Sequence, residues 1–351
     1  MKNTLKYTTL ILLSILLFNC GGGDDDTSGN NNDDKPFITT WLTTTDNETI
    51  VIPINSRYTY NYNVKWGDGT TSNNLTDNAR HSYEIPGTYT VEISGTFPAI
   101  SFSGGGTNST PNALRTIAQW GGIKWESMVD AFDGCRYLTY TATDAPNLSN
   151  VTNMSSMFAF AWEFNGDLSN WDVSNVTVMT GMFAHARAFN GDISTWDTSN
   201  VTEMGSMFSS ARAFNGDISN WDVSNVTVMG SMFAGATVFN GDLSNWDVSN
   251  VIQMGGMFGF TSAFNGDLST WDVGNVTLMD GMFGDASAFN GDISNWDVSK
   301  VEYMRNMFAY ATVFNQNLSS WNTNNVMRCE NFSVASALTE ANLPEQGCFG
   351  L

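Results

Sequence analysis

The sequence predicts an α/β repeat solenoid, with one short strand and one short helix in each coil, preceded by a small all-β sandwich. Two observations carry the solenoid. Trp171, Trp196, Trp221, Trp246, Trp271, Trp296 and Trp321 follow one another at intervals of 25 residues, and a fixed period of this length marks units that bury their apolar faces only by stacking. Within each unit the apolar residues step by three and four, as in Val176, Met179, Met182, Phe183, Ala186 and Phe189, which is the spacing of one buried helix stripe. A third observation sets the front apart: residues 37–100 hold no copy of the unit and are rich in Thr, Tyr, Ile and Val.

In chain order, residues 1–19 read as a secretory signal. Lys2 and Lys6 precede an apolar run over residues 10–18, too short to span a bilayer. Leu17-Phe18-Asn19-Cys20 resembles a bacterial lipobox, which implies cleavage before Cys20 and acylation of its thiol and new amino terminus. Each buried methylene contributes ~0.8 kcal/mol to such an anchor. No second apolar run of membrane length follows, so the lipid is the one anchor expected. Residues 20–36 hold Gly, Asp, Asn and Ser with almost nothing apolar to bury, and are expected to form a flexible tether. The stretch is also similar to the acidic tag behind the lipid cysteine of exported outer-membrane lipoproteins; a plain solvated linker is the alternative. The expected location is the outer membrane, facing outward.

Residues 37–100 show alternating runs at 49–54, 58–66 and 88–94 between turn residues, the pattern of a small antiparallel sandwich. Trp66-Gly67-Asp68-Gly69-Thr70, His81-Ser82-Tyr83 and Pro86-Gly87-Thr88-Tyr89-Thr90-Val91 resemble the polycystic-kidney-disease-type (PKD-like) domains of immunoglobulin fold, which implies a spacer role. Asp68 is expected to fix its turn, a ligand role being the alternative. Residues 101–119 read as a linker and the start of an N-terminal cap.

The array covers residues 120–325. Helix is expected over residues 176–189 and its equivalents, with Ser174 or Asn175 capping its start. A turn follows at Asn190-Gly191-Asp192, and a short strand at residues 193–198. A weaker copy stands at Met128, Phe132, Cys135 and Leu138, and a decayed one at Val326, Cys329 and Phe332. Residues 326–351 form the C-terminal cap, where Cys329 and Cys348 are expected to pair; two free buried thiols are the alternative. Leu168, Trp171, Val173 and Asn175 resemble the leucine-rich-repeat core, one residue short before the Asn. The whole unit is similar to the repeats of BspA-like leucine-rich-repeat surface proteins over residues 120–348, and the likeness implies surface display and adhesion.

The net charge of −21 excludes nucleic acid, whose phosphates are bound with Lys and Arg. Two histidines, His81 and His185, lie in different domains. Two acidic ladders run from Asp167 to Asp292 and from Asp172 to Asp297. Calcium would suit such oxygens, but like charges stacked at strand spacing repel, so the carboxylates are expected to cap turns or to point to water. Asn165 and its equivalents to Asn315 are expected to bond the backbone of adjacent coils. Identical repeats give every carboxylate the same surroundings, whereas acid–base catalysis needs two acids in different ones. Met179 with Met182, and Met204 with Met207, read as core rather than copper ligands. No enzyme activity, catalytic residue or cofactor is expected.

Positions that vary while their neighbours repeat are free of packing constraint. One row is Val178, Glu203, Val228, Gln253, Leu278 and Tyr303; another is Phe160, His185, Ser210, Gly235, Phe260, Asp285 and Tyr310. Either is a ligand face or a set of drifting solvent positions. The expected function is an adhesion or protein-binding scaffold on the cell surface, monomeric, with an unknown protein or glycan partner. A glycan-binding module of a polysaccharide-capture system, which would use exposed aromatic residues, and a structural surface coat are the alternatives.

Overall fold

The computed structural model describes residues 35–103, 110–345 and 349. The signal, Cys20, most of the tether and Cys348 lie outside them. In the front part, β1 (Phe37–Thr43), β3 (Asn61–Lys65), β4 (Thr71–Leu75), β6 (Gly87–Thr96), β7 (Leu114–Gln119) and β8 (Thr139–Tyr140) form one sheet in the order β4-β3-β6-β1-β7-β8; β2 (Glu48–Ile52) pairs with β5 (Ala79–Tyr83) in a second. Along β1 the side chains alternate, with Phe37, Thr39, Trp41 and Thr43 buried, as a strand with one covered face requires.

Residues 114–119, within the stretch expected to be linker and the start of the N-terminal cap, form β7, antiparallel to β1 and parallel to β8. Its two fully buried residues, Leu114 and Ile117, stand three apart because the pairing with β1 shifts register. That irregularity hides the period of two from the sequence. Since β8 belongs to the stretch that opens the array, the sheet continues directly into the first coil. Trp120 meets Phe132 and Trp171 edge-on at 6.0 and 5.3 Å, and the Tyr140 hydroxyl accepts from the indole N–H groups of Trp120 and Trp171 at 2.9 and 3.3 Å. The β part thus covers the first coil, which would otherwise present its apolar edge to water.

The expected α/β coil is overturned. Among the described residues there is no α-helix, only a 3₁₀ turn at Glu340–Asn342, and the strand expected at residues 193–198 is absent. The residues of the supposed helix stripe form a train of turns. Met182 N–H donates to Met179 O, Ala184 to Gly181 and Ala186 to Phe183, each three residues back. The intervening amides leave the coil: those of Met179, Gly181, Phe183 and His185 donate to Glu203, Gly205, Met207 and Ser209 of the next. An α-helix would spend every amide on the carbonyl four residues back. Gly181, Ser206, Ser231, Gly256, Gly281 and Asn306, in the middle of the stripe, take φ between 56° and 66° or, for Asn306, 53°, a left-handed conformation that a right-handed helix excludes. Inter-coil pairing runs through isolated parallel bridges that link Asn153, Val178, Glu203, Val228, Gln253, Leu278, Tyr303 and Arg328 in succession.

Like residues then stack in columns. Successive rings from Phe158 to Phe308 lie 5.6 to 5.8 Å apart and nearly parallel, in the offset arrangement that aromatic quadrupoles favour. A second column runs from Phe164 to Phe314. The tryptophans are aligned as well, with Trp271, Trp296 and Trp321 at 6.4 and 6.5 Å. Each indole N–H reaches back to the preceding coil, as Trp246 does to Ile218 O at 3.0 Å. Trp246→Ala is expected to lower stability by about 3–5 kcal/mol in chemical denaturation, and far-ultraviolet circular dichroism of the intact protein to lack a helical signature.

Candidate ligand-binding face

The two acidic ladders resolve into turn caps. Asp192 Oδ1 accepts from the Ser194 amide and hydroxyl at 2.9 and 2.7 Å, and Asp197 does the same for Ser199 at 3.1 and 2.6 Å. These bonds, backbone first for Asp192 and side chain first for Asp197, hold both carboxyls below their ordinary range. No group of three or more His, Cys, Asp or Glu able to hold a metal occurs among the described residues. The Asn ladder bridges coils: Asn190 N–H donates to Asn165 Oδ1, Asn215 to Asn190 and Asn240 to Asn215, each at 2.8 Å.

In the β part, Asp68 Oδ1 accepts from the Thr70 amide and hydroxyl at 2.9 and 2.6 Å, while its Oδ2 lies 2.7 Å from His81 Nε2. Asp68 therefore holds the turn. A Cβ on Gly67, at φ 84°, would fall 2.4 Å from Thr90 O, so the turn admits only glycine there. Cys135 is a free, fully buried thiol, pushed up by burial and then by Asp133. Cys329 is buried and disulfide-bonded; Cys348, its expected partner, lies outside the described residues.

The two variable rows part company. Val178 and its equivalents to Tyr303 are the bridge residues of the stack, tied into the inter-coil ladder. The other row has no such duty. Phe160, His185, Ser210, Phe260, Asp285 and Tyr310 all sit at φ between 55° and 59°, a conformation that costs a residue with a Cβ about 1–2 kcal/mol. Gly235 occupies the same place in its coil without that strain. Phe160, Phe260 and Tyr310 are also 45, 65 and 53 % exposed. Folding would favour Gly at every step of this row, so neither burial nor the turn geometry accounts for the bulky, exposed aromatics there.

Between Phe260 and Tyr310, two coils and so about 10 Å apart at strand spacing, lies a trough of about 360 Å³ lined also by Asp285, Gly259 and Gly284. The two glycines stand where other coils have Ala184, Ser209, Ala234 and Ala309, and their lack of side chains opens the space. A second trough of about 540 Å³, lined by Ser209, Ser210, Arg212, Gly235 and Thr237, lies on the other side of Phe260.

Beside the row runs a column that sequence reasoning missed: Arg136, Trp162, Arg187 and Arg212. The guanidinium groups of Arg136 and Arg187 each lie over the Trp162 ring, 4.4 and 4.3 Å from its centre, a cation–π arrangement. Phe160 stacks on His185 at 4.4 Å. His185 is held below its ordinary pKa by burial, then by Arg187 and Arg212. Aligning the units two positions past the variable row would have exposed this column.

One family model matches the chain, described as Mycoplasma protein of unknown function, DUF285, over residues 126–246 and again over 229–343. No curated protein and no solved structure matches it.

Asp68 also provides an acid test of the β part. Burial raises its carboxyl, but the hydrogen bonds from Thr70 and His81 outweigh this and bring it from 3.8 down to about 2. A depressed carboxyl contributes stability that is complete above the unfolded value and is lost as pH falls through the folded one. Thermal melts are expected to show a loss between pH 3.8 and about 2, and Asp68→Asn to be less stable at neutral pH and flatter across that window.

Proposed function

The chain belongs to the DUF285 family, and from that premise we propose that it is an adhesion scaffold of the cell surface, not an enzyme, whose stacked coils hold the row from Phe160 to Tyr310 toward a ligand outside the cell. The observation that carries this reading is the placing of exposed aromatic rings on left-handed backbone where glycine would fold more easily. A coat protein needs only the repeating core; it has no use for a face that differs from coil to coil. The likeness of the repeats to BspA-like surface proteins supports the same reading.

On this proposal the signal is removed, Cys20 carries the lipid, the acidic tether spans the space above the outer membrane, and the PKD-like front domain raises the array. A Cys329–Cys348 disulfide closes the far end, where the last coil needs a cover.

Two measurements test these parts separately. Radiolabelled palmitate is expected to mark the wild-type protein and not Cys20→Ser; label that persists in the variant removes the anchor from the scheme. Purified protein lacking residues 1–20 is expected to bind within a panel of extracellular-matrix proteins and glycans, and the double substitution Phe260→Ala with Tyr310→Ala to abolish that binding while leaving the melting temperature within a few degrees. Binding that survives the double substitution would move the ligand to another face.

A further inference from the structure

The sign of the charge along this face narrows the ligand. The chain holds 14 Lys and Arg against 35 Asp and Glu, so a positive side chain has a surplus of carboxylates to pair with. Lys65, Arg305 and Arg328 do so. Arg136, Arg187 and Arg212 do not, as Arg57 and Lys124 do not, but these three arginines share one column. Two of them press on Trp162; the Arg212 guanidinium makes no hydrogen bond, ion pair or ring contact among the described residues. Arg212 lines the 540 Å³ trough together with Phe260, and Phe260 also walls the 360 Å³ trough that ends at Tyr310 and holds Asp285. Arg212 and Tyr310 are four coils apart, about 20 Å at strand spacing.

Resting on the reading of this face as the ligand face, we propose that it binds an acidic oligosaccharide, with the sugar's carboxylate or sulfate at Arg212 and its rings over Phe260 and toward Tyr310. Three features must be met by one ligand. A guanidinium without a partner takes a planar or tetrahedral oxyanion through paired N–H donors. An exposed aromatic ring presents a flat apolar surface, which the C–H face of a sugar ring covers. Asp285, between the two aromatic residues, accepts hydrogen bonds from hydroxyl groups and repels a second anion. A neutral glycan leaves Arg212 unsatisfied. An acidic peptide satisfies Arg212 but offers few hydroxyls to Asp285. Nucleic acid is opposed by the net charge.

The test uses protein lacking residues 1–20 on an array of uronate, sialate and sulfated oligosaccharides, each beside its neutral counterpart, followed by titration calorimetry of the best pair. Acidic members are expected to bind at least about tenfold more tightly than their neutral counterparts, with affinity falling as salt rises. Arg212→Gln is expected to lower affinity for the acidic member by about tenfold or more and leave the neutral one unchanged, while Phe260→Ala weakens both. Both positions are exposed, and an unchanged melting temperature confirms that each variant is folded. Which acidic group binds distinguishes carboxylate from sulfate, and either supports the proposal. Equal binding of neutral and acidic members, an unaffected Arg212→Gln, or no glycan binding overturns it. If matrix proteins then bind in a Phe260- and Tyr310-dependent way, the scaffold reading stands and only the ligand class is wrong.

Discussion

The structure depends on where alternate backbone amides go. In each coil the N–H groups of residues such as Met179, Gly181, Phe183 and His185 are sent to the next coil, while those between them close turns within their own. These buried backbone amides are thereby satisfied, and each coil is bound to its neighbour in one register. A shift by a single residue would leave the outgoing amides facing no carbonyl. The Phe and Trp columns, the Asn ladder and the indole bonds all follow from that register, since each requires like residues to fall directly above one another.

Register also explains the economy of the residues that do not pack. The Asp residues of the turns look like a metal ladder in the sequence, yet each carboxylate is occupied by the amide two residues on, and those such as Asp192 and Asp197 by the Ser hydroxyl as well. They shape the corner of the coil so that its next segment starts at the right height. At the front the sheet supplies the same service on a larger scale: β7 and β8 carry it into the first coil, and Trp120, Tyr140 and Trp171 fasten the junction. The front domain is thus built into the array as its cover.

Against this regularity the row from Phe160 to Tyr310 stands out physically. Its backbone is left-handed in every coil because the turn train demands it, and the side chains there are displayed, not packed. The neighbouring column of Arg136, Trp162, Arg187 and Arg212 gives one half of the face a positive character that the chain as a whole lacks. Small residues at Gly259 and Gly284 hollow the other half. A periodic frame thus presents an aperiodic surface.

The period, the identity of the core columns, the bridging Asn residues and the capping role of Asp68 were legible in the sequence, because each depends on contacts within a unit or between identical units. The variable row was legible as well, as a break in repetition. The helix was not. Val176, Met179, Met182 and Phe183 have the spacing of a helix stripe, but three-residue turns bury the same positions, and the choice rests on whether an amide finds its acceptor four residues back or in the coil above. The small residues at Gly181, Ser206 and Ser231 were the one local hint. Likewise β7 lost its alternation to a register shift, and the troughs exist only where Gly259 and Gly284 come to lie beneath Phe260 and Tyr310. Sequence determined what repeats, since repetition is local; tertiary structure decided the hydrogen-bond partners and the shape of the face, because both are set by residues a full coil apart.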